Sequence, residues 1–124
     1  MVKVLVIDDE EVHRQYAATV LERAGFEVKT AANGKEGLDA IAADRPDLIF
    51  CDAMMPEMDG FEFLDNVRAD PGNSAIPFIF ATAMRFGGAR TEAKQRGAQE
   101  YMVKPYKGDA LVATARRLLK LPES

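Results

Sequence analysis

The sequence predicts an α/β fold of the flavodoxin-like doubly wound type, with a five-stranded parallel sheet in the order 2-1-3-4-5 covered by helices on both faces. Three observations predict it. Short apolar runs alternate with helical patterns along the whole chain, giving five strand-then-helix units. The runs at 3–7, 47–51 and 77–81 are almost wholly apolar, as strands buried on both faces require. Those at 26–30 and 99–103 mix apolar with polar residues, as edge strands do. Edges in second and fifth place, joined by right-handed crossovers, give that strand order.

Lys3 to Ile7 is the first strand. In the helix that follows, Val12, Tyr16, Val20 and Ala24 lie four apart on one face, and Gly25 stops it. Phe26 to Thr30 alternates and forms the second strand. Asn33-Gly34 opens a second helix with Leu38 and Ile41 inward. Asp47 to Cys51 is the third strand. Asp59 and Glu62 then have the spacing of a capping box, and Phe61, Leu64 and Val67 form the buried face of the helix they start. Pro71 to Ser74 is a loop, and Pro77 to Ala81 the fourth strand. A weak helix from Gly88 to Arg96 has Ala89 and Ala93 as its main apolar residues. Gln99 to Val103 is the fifth strand. The last helix runs from Gly108 to Lys120, with Leu111, Ala115, Leu118 and Leu119 inward.

A chain of 124 residues suits one domain with one core, here residues 1–124. Its hydrophobic share of 48% and charged share of 29% exclude a disordered chain. The longest apolar stretch, Ile76 to Met84, is interrupted by Pro77 and Thr82. It falls far short of the roughly 20 residues of a membrane span. Val4 to Ile7 is too short for a secretory leader and runs into the acids Asp8 to Glu11. One cysteine forms no internal disulfide, so the expected setting is reducing and cytoplasmic, with no membrane. Charge is divided unevenly: residues 1–84 hold 7 basic and 16 acidic side chains, residues 85–120 hold 9 and 3. An acidic body with a basic C-terminal third can serve two surfaces.

The strand order locates a site. Ligands bind beyond the C-terminal strand ends where the order reverses, here between strands 1 and 3. Strand 1 ends in Asp8-Asp9, strand 3 in Asp52, strand 4 in Thr82 and strand 5 in Lys104-Pro105. Lys104 starts about 10 Å from the third strand, a gap a lysine side chain largely covers. Singly these are an N-cap, a loop acid, a strand-end hydroxyl and a solvated lysine. Together, three acids at one sheet edge repel one another and need a cation. Oxygen-only ligands favour Mg2+ over zinc. A carboxylate beside Mg2+, a hydroxyl and an ammonium is a place to accept a phosphoryl group, with Asp52 as nucleophile. Mg2+ and Lys104 would neutralise the phosphoryl oxygens and Thr82 would donate to one.

The order Val-Ile-Asp8-Asp9, Cys-Asp52-Ala-Met-Met-Pro56-Glu-Met-Asp59-Gly60, Ala-Thr82-Ala83 and Gly97-Ala98-Gln-Glu-Tyr101-Met-Val-Lys104-Pro105 resembles the receiver domains of two-component response regulators. The resemblance covers residues 2 to about 120. It implies that Asp52 is the phosphoacceptor and that Asp8 and Asp9 hold Mg2+, with Asp52 and the main-chain carbonyl of Met54 as further ligands. It implies that Thr82 and Lys104 contact the phosphoryl group and that Tyr101 is the switch aromatic that turns inward when Thr82 moves. A cis bond is implied before Pro105. The implied phosphodonor is a sensor histidine kinase or a histidine phosphotransfer protein. In fast-cycling receivers, the places two residues beyond the phosphoacceptor and the threonine often carry polar residues. Here both are methionine, Met54 and Met84, which implies slow loss of the phosphoryl group, with Arg85 nearby able to orient water.

Other readings are set beside this one. An Mg2+-dependent aspartyl-phosphate phosphohydrolase of the haloacid-dehalogenase type places Asp-x-Asp on its first strand. Asp52 lies on strand 3, is followed at that offset by Met54, and no cap insertion is present. The chain is therefore expected not to be an enzyme. Cys51 alternates away from the site and reads as core, His13 as a surface or rim residue, and Met54, Met55 and Met58 as loop packing. The chain stops soon after the last helix without a DNA-binding motif. Output is thus expected as protein contact by a free-standing receiver, through the fourth helix, fifth strand and last helix, with no direct nucleic acid binding.

Overall fold

A computed structural model describes residues 1–83 and 87–122. The elements are β1 (Lys3–Ile7), α1 (Glu11–Arg23), β2 (Glu27–Ala31), α2 (Gly34–Ala43), β3 (Leu48–Cys51), α3 (Gly60–Ala69), β4 (Phe78–Thr82), α4 (Gly87–Gln95), β5 (Glu100–Val103) and α5 (Gly108–Leu118). The strands form one five-stranded parallel sheet in the order β2-β1-β3-β4-β5. This is the flavodoxin-like arrangement that the edge and centre strands predict. Ile7 pairs with Cys51 and Cys51 with Phe80, so the residues that follow β1 and β3 leave the sheet at the same level.

Alternation along the strands splits the core in two. Leu5, Ile7, Ile49, Cys51, Phe78 and Phe80 face one side, under α2, α3 and α4. Val4, Val6, Leu48, Phe50, Ile79 and Ala81 face the other, under α1 and α5. Successive side chains of a strand point to opposite faces, so a strand supplying both layers must be apolar throughout.

Among the described residues, two helices start on side-chain caps. The Asn33 side chain accepts from the Glu36 N–H at 2.8 Å, while the Glu36 carboxylate accepts from the Ala32 N–H at 3.1 Å. Asp59 accepts from the Glu62 N–H at 2.9 Å, which sets the first turn of α3 as the Asp59/Glu62 spacing predicts. The four-spaced face of α1 needs a correction. Val12 is 79% exposed and Tyr16 46%, and the helix buries Ala17, Ala18 and Leu21 instead. The small alanines let α1 lie close to the sheet. The Val12–Tyr16–Val20 stripe is rotated toward the start of α5, where the Tyr16 ring sits 5.9 Å from that of Tyr106. The last helix ends at Leu118, and Leu118 and Leu119 are only partly covered. Among the described residues no helix is long and apolar enough to cross a membrane.

Candidate functional site

The topology brings Asp8, Asp9 and Asp52 together: one carboxylate oxygen from each lies within 4.8 Å of the others. The backbone holds them there. The Asp8 N–H donates to the Ala31 carbonyl at 3.2 Å and the Asp52 N–H to the Ile7 carbonyl at 3.0 Å, extending the ladders past the strand ends. Asp8 and Asp52 are buried, and Asp9 is exposed.

Each buried carboxylate is held at both oxygens. Asp8 Oδ1 accepts from the Glu10 N–H at 2.9 Å and Oδ2 from Lys104 Nζ at 2.7 Å. Asp52 Oδ1 accepts from the Met54 N–H at 3.1 Å and Oδ2 from Lys104 Nζ at 3.3 Å. Lys104 reaches across from the end of β5, where its own N–H donates to the Thr82 carbonyl at 2.9 Å. The Lys104–Pro105 peptide bond is cis. Thr82 is fully buried at the end of β4.

Burial raises the Asp52 carboxyl above its usual range, and the Asp8 charge adds to this; the Met54 N–H and Lys104 pull the other way. Burial works against a charged Lys104, but the hydrogen bond to Asp8 and the two carboxylate charges outweigh it, so its pKa is raised. The lysine keeps its proton because two carboxylates face it, while burial first, and then the Asp8 charge, make ionisation of Asp52 harder.

The donor set is oxygen only, and an ammonium already serves as its positive charge. That chemistry fits a hard divalent cation. Tyr101 is buried, its ring 6.3 Å from that of Phe80 and its face 5.3 Å from the Arg90 guanidinium. Burial raises its hydroxyl. Cys51 is fully buried on the opposite side of its strand, and burial pushes its thiol well up. Met54 is 59% exposed on the rim. Met84 and Arg85 lie outside the described residues.

Sequence reasoning missed four contributors. The Met54 main-chain N–H holds Asp52, and the Arg14 guanidinium donates to the Asp8 carbonyl at 2.9 Å. His13 is a rim residue as expected, yet its Nδ1 lies 3.0 Å from Lys104 Nζ. Gly60 lets α3 start against the site, because a β-carbon there would collide with the Asp52 carbonyl and sit 2.7 Å from the Phe80 ring. The Asp59-Gly60 pair at a helix start was the available signal for Gly60. No local signal marks the others. Beside the acids an open, largely apolar hollow is lined by Val12, His13, Tyr16, Lys104, Pro105 and Tyr106.

The model of the response regulator receiver domain family matches residues 4–116. Among curated proteins the chain is 38% identical over 122 residues to a probable transcriptional regulator, ycf27, of Cyanophora paradoxa, covering 98% of the chain and 50% of that protein. It is 36% identical over 119 residues to response regulator Rre1 of Synechocystis, covering 95% of the chain and 52% of that protein. The chain thus spans about half the length of these relatives. Among solved structures it is similar to the Vibrio cholerae chemotaxis protein CheY4, with a TM-score of 0.90 and 37% identity over 95% of the chain and 98% of that structure. The Francisella response regulator 1452 receiver domain gives a TM-score of 0.89 at 32% identity, covering 97% and 98%.

Proposed function

The chain belongs to the response regulator receiver domain family of two-component signalling, and from that premise we propose that it is a switch phosphorylated on Asp52. The observation that carries this reading is the placement of the Asp52 carboxylate between the Met54 N–H and Lys104, beside Asp8 and Asp9. The donor is a phosphohistidine on a sensor histidine kinase or a histidine phosphotransfer protein. An Asp52 oxygen attacks phosphorus, the P–N bond breaks, and the imidazole leaves with the bonding pair and is protonated. The product is an acyl phosphate. Lys104 follows the developing charge onto the phosphoryl oxygens, and the Thr82 hydroxyl donates to one of them.

Receiver domains typically bind Mg2+ in an acidic pocket, and the three carboxylates here suit it. Asp8, Asp9, Asp52 and the Met54 carbonyl would hold the ion, which when bound neutralises charge between acceptor and incoming phosphoryl group. The hollow beside α1 leaves the acids open to a donor side chain. Residues 1–124 act as one receiver domain in the cytoplasm. Phosphorylation changes the face made by α4, β5 and α5, with Tyr101 following Thr82. The basic residues of that region suit an acidic protein surface rather than nucleic acid. Receivers are signalling modules, generally not enzymes, and the phosphohydrolase reading gains no support from the site.

The test is intact-mass measurement with a small phosphodonor and Mg2+. One added phosphoryl group on the wild type and none on Asp52→Ala is expected. Full phosphorylation of Asp52→Ala refutes the assignment. Turnover of many equivalents of a generic phosphate ester would favour an enzyme instead.

A further inference from the structure

We infer that His13 is a positioning residue for Lys104, giving its ammonium a resting place outside the acid cluster and so easing entry of a divalent cation. The inference rests on the reading of the acids as a Mg2+ site.

In this structure Lys104 Nζ lies 2.7 Å from Asp8 Oδ2, 3.3 Å from Asp52 Oδ2 and 3.0 Å from His13 Nδ1. A cation held by Asp8, Asp9 and Asp52 and the Lys104 ammonium compete for the same carboxylate oxygens. Two positive charges on one carboxylate repel, so the ammonium has to withdraw from Asp8 while staying near Asp52. A lysine ammonium only donates, so its contact with His13 is a hydrogen bond when Nδ1 carries the lone pair and the ring proton is on Nε2. The acceptor is then neutral. It holds the ammonium without adding a charge that would itself attract the metal.

Among the described residues, the charged groups facing the His13 ring are Lys104 from just after β5 and Glu10 from the entry to α1, whose Oε2 lies 3.6 Å from the same Nδ1. With its lone pair at Nδ1, the ring accepts from Lys104 and has no proton at that nitrogen to give Glu10. His13 sits between the two, on the wall of the hollow that leads to the site. Its side chain is 44% exposed and takes no part in either core layer, so replacing it leaves the fold in place.

The experiment is a Mg2+ titration of the unphosphorylated protein, followed by the backbone amide signals of Asp9 and Met54 in NMR spectra. It compares wild type, His13→Leu and His13→Asn. Leucine removes the acceptor. The Asn side-chain oxygen stands as many bonds from Cα as the imidazole Nδ1 and restores it. Leucine should weaken Mg2+ binding by about threefold to tenfold, the range of one ordinary hydrogen bond, and asparagine should return it to within about twofold of wild type. Equal affinity in all three proteins, or an asparagine variant as weak as the leucine one, overturns the role of His13 alone. Absence of Mg2+ binding by the wild type overturns it together with the metal reading.

Discussion

Asp52 shows at the scale of one residue what a buried carboxylate costs a fold. It is buried, and its pKa is raised first by that burial and then by Asp8, so the folded protein binds its proton more readily than the unfolded chain. The associated stability is present at low pH and is lost as pH rises through the Asp52 titration. In metal-free protein, Asp52→Asn should therefore raise Tm at neutral pH, with the gain closing as pH falls into the carboxylate range; thermal melts against pH check this. Cys51 has the same sign for the same leading reason. Burial pushes its thiol well up, so a disulfide-exchange reagent should leave it intact in the folded protein at about pH 8 and label it once urea unfolds the chain. On the proposed reading, Met54 bears on the lifetime of an acyl phosphate at Asp52. It is exposed at the rim and offers no strong donor or acceptor with which to hold a water for in-line attack. Met54→Asn should shorten the phosphoryl half-life several-fold, and an unchanged or longer half-life would remove the shielding argument.

At the scale of the element, the site depends on how α3 begins and how α4 is held. Gly60 starts α3 where a β-carbon would meet the Asp52 carbonyl and the Phe80 ring. Gly60→Ala should cost about 1–3 kcal/mol and slow phosphorylation together, because relief of the clash moves the backbone that bears Asp52. Urea unfolding and the initial phosphorylation rate measure the two effects. The interior contacts of α4 come from Ala89 and Ala93, both fully buried and both small. Near its C-terminal end, Arg96 pairs with Asp65 of α3 at 3.1 Å and lies over the Phe61 ring, while Arg90 covers Tyr101. The clamped end should stay and the end nearer Thr82 should move. Hydrogen exchange with and without a phosphoryl mimic should change in α4 and β5; a response confined to α1 and α2 would contradict the proposed output face.

At the scale of the whole molecule, one sheet carries two core layers, and Phe80 joins the core to the site. Its ring lies 4.9 Å from Phe61, 4.9 Å from Phe78 and 6.3 Å from Tyr101. Phe80→Ala should cost about 3–5 kcal/mol, a large part of the stability of a small domain, and urea unfolding reads it directly. The loss should also loosen Tyr101, since one face of its packing disappears.

The sequence by itself determined the five-strand order, because full burial of β1, β3 and β4 demands unbroken apolar runs while the edges do not. It also determined which residues follow the strand ends at the reversal of order, and so which acids meet. The tertiary structure alone decided which face of α1 is buried, since periodicity marks an apolar stripe without saying which neighbour covers it. Val12 and Tyr16 end on a rim because α5 and the β5–α5 connection pass beside them. It also decided the hydrogen bonds at the site. His13 and Lys104 stand 91 residues apart and Asp8 and Lys104 stand 96 apart. Local propensity carries no information on pairs so distant; they meet because parallel crossovers bring the ends of β1 and β5 to the same edge of one sheet.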